Sequence, residues 1–181
     1  DTLTKEDILV LAGSIPNTLP EDIYEKILAR LESKGIRIVV DATKDLLLNV
    51  LKYHPFLIKP NNHELGEMFG TVCKTDEDIV HYAKKLQEKG AVNVLISMAG
   101  DGAILITEDG QNIKMGTPKG KVVNSVGAGD SMVAGFITGY IRGGNYEEAL
   151  KSGTAAGSAT AFSEGLASLE MYEKMLKQIT E

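Results

Sequence analysis

The sequence lacks a second cysteine, a run of positive charge and an apolar stretch long enough to cross a bilayer. Its single cysteine, Cys73, therefore has no partner for an internal disulfide bond. The formal net charge of -6 disfavours nucleic acid and anionic membranes as partners, because both attract basic surfaces. With no signal-peptide pattern at its start either, the chain is predicted to be cytoplasmic and to bind any anionic ligand locally.

The composition is that of an ordinary globular protein. The chain has 181 residues, of which 43% are hydrophobic and 24% charged, which suffices for a substantial core and disfavours disorder. No repeat, low-complexity tract or linker divides it. We therefore expect residues 1–181 to belong to one domain.

Apolar runs alternate with amphipathic segments along the chain. Buried strands are predicted over 8–13, 36–41, 56–61 and 92–97, followed by a hairpin over 103–115 that turns at Asp109-Gly110. Helices are predicted over 21–33, 44–52, 63–69, 75–90 and 131–142, from Asn145 towards Phe162, and from Ser168 onwards. This alternation predicts an α/β fold, in which a mostly parallel sheet is covered by helices on both faces.

Four of the predicted strands end in segments that differ from ordinary loops: GSIP, DAT, KPNNHE and SMAGDG. Ligands of α/β sheets collect beyond the carboxyl ends of the strands. We therefore expect these segments to lie along one rim, together with a fifth segment, GAGD.

The segment VNSVGAGDSMVAGF places an acidic residue where a glycine-rich turn becomes a nearly uncharged helix. The amides of Gly127, Ala128 and Gly129 are predicted to hold an anion such as a phosphate, because a helix start carries unpaired N–H groups. Asp130 would repel that anion, so it is predicted to accept the proton of a hydroxyl that attacks the phosphorus. The alternative is a tight turn in which Asp130 caps the helix.

Two common phosphate-binding motifs do not fit this segment. A Walker loop needs Gly-Lys-Ser/Thr, and the dinucleotide motif fails because Met132 occupies the position of its third glycine. The segment instead resembles the second signature of the ribokinase-like carbohydrate kinases, in the phosphofructokinase B group, where the aspartate of G-A-G-D is the catalytic base. GSIP, KPNNHE, SMAGDGA and AAGSATAFSEG occur in the family's order, so the resemblance covers essentially the whole chain.

The resemblance implies a ribokinase-like fold with ATP and Mg²⁺ as cofactors. It assigns Asn61 and Glu64 to magnesium and phosphate binding, largely through water, and it places the charge of Lys59 near the phosphates. Without the resemblance, Lys59 to Asn61 is a strand end followed by a helix start, and Glu64 is a solvated helical acid.

Nucleotide contacts are implied by two further matches. Those matches assign the surface beneath the nucleotide and the adenine pocket to small or polar residues: Ser97, Gly100, Asp101, Gly102, Thr154 and Ser158. The alternative for residues 97–102 is an ordinary turn into the hairpin. The alternative for the last two residues is helix packing.

Many relatives in this family bind K⁺ through backbone oxygens. The matching positions here are Val126, Ala128, Ser163 and Gly165. The family often has aspartate where this chain has Asn124, and this difference bears on the strength of any such ion site.

Within the family, the segments most resemble kinases that phosphorylate fructose 1-phosphate, and kinases of tagatose 6-phosphate are near neighbours. Ser14 would then contact the phosphate of the sugar, although it also suits a Gly-Ser turn before Pro16. There are two alternatives: a kinase of an unphosphorylated sugar or nucleoside, and a nucleotide-binding relative without catalysis.

Family members begin with an N-terminal segment that has no counterpart here, whereas this chain starts at Asp1, close to an apolar strand. That segment carries sugar-binding residues, several strands and the lid, which often forms a homodimer contact. We therefore expect residues 1–181 to be the C-terminal, ATP-binding portion of a single ribokinase-like domain and to be an inefficient enzyme alone.

Overall fold

A computed structural model of the chain describes residues 2–180, except for the side chain of Thr180. Six strands form a sheet in which each strand neighbours the next, in the order β1-β2-β3-β4-β5-β6. They are β1 Ile8–Ala12, β2 Arg37–Asp41, β3 Leu57–Ile58, β4 Asn93–Ser97, β5 Ala103–Ile106 and β6 Asn112–Met115. The pairs β1-β2, β2-β3 and β3-β4 are parallel, which confirms the predicted α/β class.

Seven helices alternate with or follow these strands within the described residues. They are α1 Ile23–Leu31, α2 Lys44–Val50, α3 Asn62–Met68, α4 Asp76–Glu88, α5 Ala128–Gly143, α6 Tyr146–Ala161 and α7 Leu169–Thr180. Short 3₁₀ turns follow α1, α2 and β4. Among residues 2–180, no helix combines the length and apolar character that a bilayer span requires.

The chain forms two compact units. The first comprises the residues up to 96 together with 106–112, and the second comprises 97–105 and the residues from 113 onwards. The core of the first unit is centred on β2, β3 and β4, whose residues Val39, Leu57 and Leu95 are fully buried. Because side chains on both faces of these strands are buried, the strands carry continuous apolar runs.

The second unit is built on close packing between α5 and α6. A Cβ atom on Gly135 would lie 2.6 Å from the backbone oxygen of Ser152, and one on Gly139 would lie 2.6 Å from that of Glu148. Only glycine permits such an approach. The close contact with α6 therefore explains why two glycines lie one turn apart on α5.

Three predicted elements need correction. The first strand is not fully buried, because β1 lies at the end of the sheet and Val10 is 41% exposed. The third strand is only Leu57–Ile58, although its flanking residues 55–60 are also buried. Helix α5 begins at Ala128 rather than Ser131, so Asp130 lies inside its first turn.

Candidate active site

The tip of α5 is formed by a glycine turn that leaves amides unpaired. Gly127 is the N-cap residue with φ of 79°, a left-handed conformation that glycine adopts readily. The Ala128 amide donates to the oxygen of Ser125 at 3.2 Å. Among residues 2–180, the amides of Gly129 and Asp130 donate to no other group. The free donors at the tip therefore include the Asp130 amide, which the sequence analysis did not single out.

Asp130 is exposed at the third position of α5, and its carboxylate has no hydrogen bond or ion pair within the described part of the chain. The N-cap, Gly127, makes no side-chain capping bond either. The alternative in which Asp130 caps the helix is therefore wrong. A free carboxylate beside unpaired amides suits a proton acceptor next to an anion site.

Asn61 and Glu64 form a capping box at the start of α3. The backbone amide of Asn61 donates to Oε2 of Glu64 at 2.8 Å, and the backbone amide of Glu64 donates to Oδ1 of Asn61 at 2.8 Å. Thr75 and Asp78 form the same arrangement at α4, where no ligand is predicted. The box geometry alone is thus structural. Oε1 of Glu64 takes no part in it and stays available to a ligand.

Lys59 is 6% exposed, and its Nζ atom lies 3.3 Å from Oδ2 of Asp41. It is therefore a buried, paired cation rather than a free one. Asp41 is not predicted as a site residue from the sequence, although it begins the DAT segment. Its partner was not apparent, because the pairing follows from the adjacent ends of β2 and β3.

The turn after β1 is held by Tyr24, whose hydroxyl donates to the backbone oxygens of Ala12 at 2.9 Å and Gly13 at 3.2 Å. Burial, and after it the charge of Asp41, raises the pKa of this hydroxyl, so it stays a donor. The Gly13 amide donates to the backbone oxygen of Asp41 at 3.1 Å. These bonds place Ser14 exposed beyond the ends of β1 and β2.

Residues 97–102 form a tight turn between β4 and β5. The Met98 amide donates to the Gly102 oxygen at 2.8 Å. A Cβ atom on Gly102 would lie 2.0 Å from the oxygen of Met115, so this glycine is required by the chain itself. Gly100 has open space around it, and both Gly100 and Asp101 are exposed. Of these glycines, Gly100 is the one that leaves room for a ligand.

Thr154 and Ser158 lie on α6 and are 1% and 8% exposed. The Thr154 hydroxyl has no hydrogen-bond partner among the described residues. Helix packing accounts for the burial of both side chains, and their role at an adenine pocket stays a prediction.

The loop before α5 contacts the loop after α6. The Val123 amide donates to the oxygen of Ala161 at 2.8 Å, and Nδ2 of Asn124 donates to the oxygen of Glu164 at 3.1 Å. Oδ1 of Asn124 accepts from the Val126 amide at 3.0 Å. The two loops that carry the predicted K⁺ positions are therefore adjacent, and Asn124 bridges them.

The predicted site residues fall into two groups. Ser14, Lys59, Asn61 and Glu64 belong to the first unit, and the others belong to the second: Ser97, Gly100, Asp101, Gly102, Val126, Gly127, Ala128, Gly129, Asp130, Thr154, Ser158, Ser163 and Gly165. That both groups share one cleft stays a prediction. Within residues 2–180, no cluster of three or more His, Cys, Asp or Glu side chains could hold a metal ion.

A mostly parallel sheet with helices, and a glycine-capped helix tip whose free amides lie beside a free carboxylate, suit a site that binds an anion next to a proton acceptor. The chain matches the family described as pfkB family carbohydrate kinase over residues 1–171, and it belongs to that family.

The chain is similar to 1-phosphofructokinase from Bacillus subtilis, with 50% identity over 98% of this chain and 58% of the relative. It is 38% identical to D-tagatose-1-phosphate kinase from Bacillus licheniformis, over 94% of this chain and 56% of the relative. It therefore spans somewhat more than half the length of these relatives.

A crystal structure of phosphofructokinase-2 from Escherichia coli, in complex with substrates and products, superposes with a TM-score of 0.91 and 27% identity. The match covers 99% of this chain and 59% of that one. The same enzyme is known in complex with potassium and in a tetrameric inhibited form. These similarities confirm the ribokinase-like fold.

Proposed function

We propose that the protein transfers the terminal phosphoryl group of ATP to a hydroxyl of a sugar phosphate, and that fructose 1-phosphate is the acceptor. The observation that carries the proposal is the free Asp130 carboxylate beside the unpaired amides of Gly129 and Asp130. Family membership and the similarity to 1-phosphofructokinases support the choice of reaction and acceptor.

In this reaction, the oxygen of the acceptor hydroxyl bonds to the phosphorus while the bond from the phosphorus to ADP breaks. Asp130 accepts the proton that this hydroxyl loses. A weak base suffices, because the proton leaves late in a loose transition state. The amides at the α5 tip stabilise the charge on the phosphoryl oxygens. The exposed Gly100 turn is proposed to lie beneath the nucleotide, and Thr154 and Ser158 are proposed to contact its adenine.

Mg²⁺ would neutralise charge on the ATP phosphates. We propose that Glu64, through Oε1, and Asn61 hold it mainly by way of bound water, because the capping box engages the other Glu64 oxygen. The buried Lys59 adds a fixed positive charge to this edge of the first unit. K⁺ is proposed at the backbone oxygens of the two adjacent loops, from these residues: Val126, Ala128, Ser163 and Gly165.

The remaining proposals concern the whole protein. The portion of the relatives outside this match is proposed to supply the rest of the acceptor pocket, a lid and a homodimer contact. We place the protein in the cytoplasm, where ATP and sugar phosphates occur, and the buried free thiol of Cys73 fits that compartment. Residues 1–181 alone should turn over more slowly than the full-length protein, and equal rates would contradict this.

The test measures ADP formation by the full-length protein with ATP and Mg²⁺ and one acceptor at a time. The acceptors are fructose 1-phosphate, tagatose 1-phosphate, tagatose 6-phosphate, ribose and adenosine. We expect the highest kcat/KM with fructose 1-phosphate. A higher value with another acceptor would reassign the substrate, and ATP binding without turnover on any acceptor would indicate a relative that lacks catalysis.

The role of Asp130 is tested by Asp130→Asn, which should lower kcat by about 10²- to 10⁴-fold. Glu147→Gln is the matched control, because Glu147 is also an exposed acid in the first turn of a helix. Its kcat should not change. Unchanged turnover in Asp130→Asn would exclude the proposed mechanism.

A further inference from the structure

The first turn of α5 has no side-chain cap of its own, so contacts from elsewhere must fix its position. One such contact is polar and partly buried. The Thr160 hydroxyl, near the end of α6, donates to Oγ of Ser131 at 2.9 Å, and Thr160 is 1% exposed. Ser131 directly follows Asp130, so this bond joins α6 to the turn that carries the free carboxylate.

The same hydroxyl also accepts a hydrogen bond from the amide of Ala167 at 3.3 Å. It therefore joins α5 to the segment after α6 as well. That segment reaches back to the tip, because Cδ2 of Leu166 lies 3.3 Å from where a Cβ atom on Gly127 would be. A methyl group of Thr160 lies on the same side, 3.9 Å from that point.

Packing around this bond is tight. A Cβ atom on Gly157 would lie 3.1 Å from the oxygen of Ala128, so the α6 backbone closely approaches the first residue of α5. Such packing fixes the distance between the helices. A directional hydrogen bond from Thr160 adds what packing lacks, because it sets the rotation of the first turn.

We propose that Thr160 is a positioning residue for Asp130: by donating to Ser131 it fixes the orientation of the first turn of α5, and hence of the carboxylate and the free amides. This inference rests on the proposed role of Asp130 in phosphoryl transfer. If the carboxylate is misaligned with the acceptor hydroxyl, kcat falls more than substrate affinity does, because the alignment matters at the reacting atoms. Thr160 itself need not touch a substrate.

The test compares three variants of the full-length protein. Thr160→Val keeps the shape but removes the hydroxyl, Thr160→Ser keeps the hydroxyl, and Ser131→Ala removes its partner. We expect Thr160→Val and Ser131→Ala to lower kcat about tenfold with less than a twofold change in KM for ATP. Thr160→Ser should keep at least half of the wild-type kcat. Hydrogen exchange of the two hydrogen-bonded amides of this turn, those of Ala128 and Ser131, should be faster in Thr160→Val and Ser131→Ala only.

Ser152→Ala is the matched control. Ser152 is a buried hydroxyl on the same helix, 3.0 Å from the Tyr172 hydroxyl, and lies outside the proposed site. Its loss should change neither kcat nor exchange at the α5 tip. The inference is overturned if Thr160→Val keeps the wild-type kcat and hydrogen exchange. It is also overturned if the kcat of Thr160→Ser or of Ser152→Ala falls as much as that of Thr160→Val. Should the wild type show no kinase activity, the proposed function fails while the exchange data still decide the positioning role.

Discussion

The Nζ atom of Lys59 lies 3.3 Å from Oδ2 of Asp41, and the two side chains are only 8% and 19% exposed. The pair joins the ends of β2 and β3, next to the turn that leads to Asn61. Water cannot fully solvate either side chain at this depth. Each charge therefore needs the opposite charge of its partner as compensation.

Removing one member of this pair should therefore destabilise the fold. We expect Lys59→Met or Asp41→Asn to lower the free energy of unfolding by about 2 to 4 kcal/mol, measured by urea denaturation. The double variant Lys59→Met/Asp41→Leu should be more stable than either single variant, because it leaves no buried charge. Lys52→Met, which breaks the exposed pair with Glu25, should lower the free energy of unfolding by less. Equal losses at Lys52 and Lys59 would contradict the role of burial.

Gly102 and Gly100 should respond differently to the same substitution. Gly102→Ala should lower stability by about 2 kcal/mol or more, since φ is 89° and the new methyl group would meet the Met115 oxygen. Gly100→Ala should change stability by less than about 0.5 kcal/mol, because it faces open space. If Gly100 lies beneath the nucleotide, its variant should instead raise KM for ATP. Thermal melts measure the effect on stability, and ATP saturation curves measure the effect on KM. A Gly102→Ala protein as stable as the wild type would refute the expected loss of stability.

The Asn61–Glu64 box allows its structural role to be separated from its proposed role in magnesium binding. Glu64→Gln and Asn61→Ser both keep residues that form a capping box, so both should unfold within about 0.5 kcal/mol of the wild type. Both should nevertheless raise the Mg²⁺ concentration needed for half-maximal activity, because they remove the charge or the carboxamide.

Thr75→Ala provides the comparison. It should cost about 1 kcal/mol of stability through the loss of the α4 cap, with no change in magnesium dependence. An unaltered magnesium requirement in both Asn61→Ser and Glu64→Gln would leave the pair as a cap and nothing more.

Asp78 should make the stability of the chain depend on acid pH. Hydrogen bonds from the amides of Lys74 and Thr75 lower the pKa of its carboxyl below the ordinary value. A lowered pKa in the folded state means that the ionised form stabilises the fold at neutral pH. That contribution is lost as the pH falls below about 4 and passes through the lowered pKa.

Asp78→Asn should therefore melt at a lower temperature than the wild type at pH 7, and the two melting temperatures should converge at acid pH. Glu77→Gln, an exposed change in the same helical turn, should lower the melting temperature at pH 7 by less than Asp78→Asn does. A gap between wild type and Asp78→Asn that persists at low pH would show that shape, and not charge, explains the effect.

The sequence predicted the helices well where a polar side chain marks the start. Thr75 and Asn145 each accept a hydrogen bond from the amide three residues on, which gives α4 and α6 a readable beginning. Helix α5 is preceded by the N-cap Gly127, which has no side chain to signal a cap, so the sequence predicts the start of this helix at Ser131 instead of Ala128. The same absence of a cap leaves the amides at the tip free.

Tertiary relationships could not be predicted in the same way. The continuous apolar run of β1 looks like that of a central strand, yet its burial depends on neighbours that periodicity does not reveal. The Asp41–Lys59 pair depends on the register of β2 and β3. The resemblance to a family suggests the candidate site residues, whose roles stay predictions, whereas their bonding partners emerge only from the fold.

The outer edge of β1 has a consequence for handling the chain. As the first strand in the order, β1 pairs on one side only within residues 2–180, so its other side presents a row of backbone donors and acceptors. Val10, 41% exposed, adds an apolar surface to that row. Because such an edge can pair with another extended peptide, we expect strand addition at β1 to be a route to self-association of the chain.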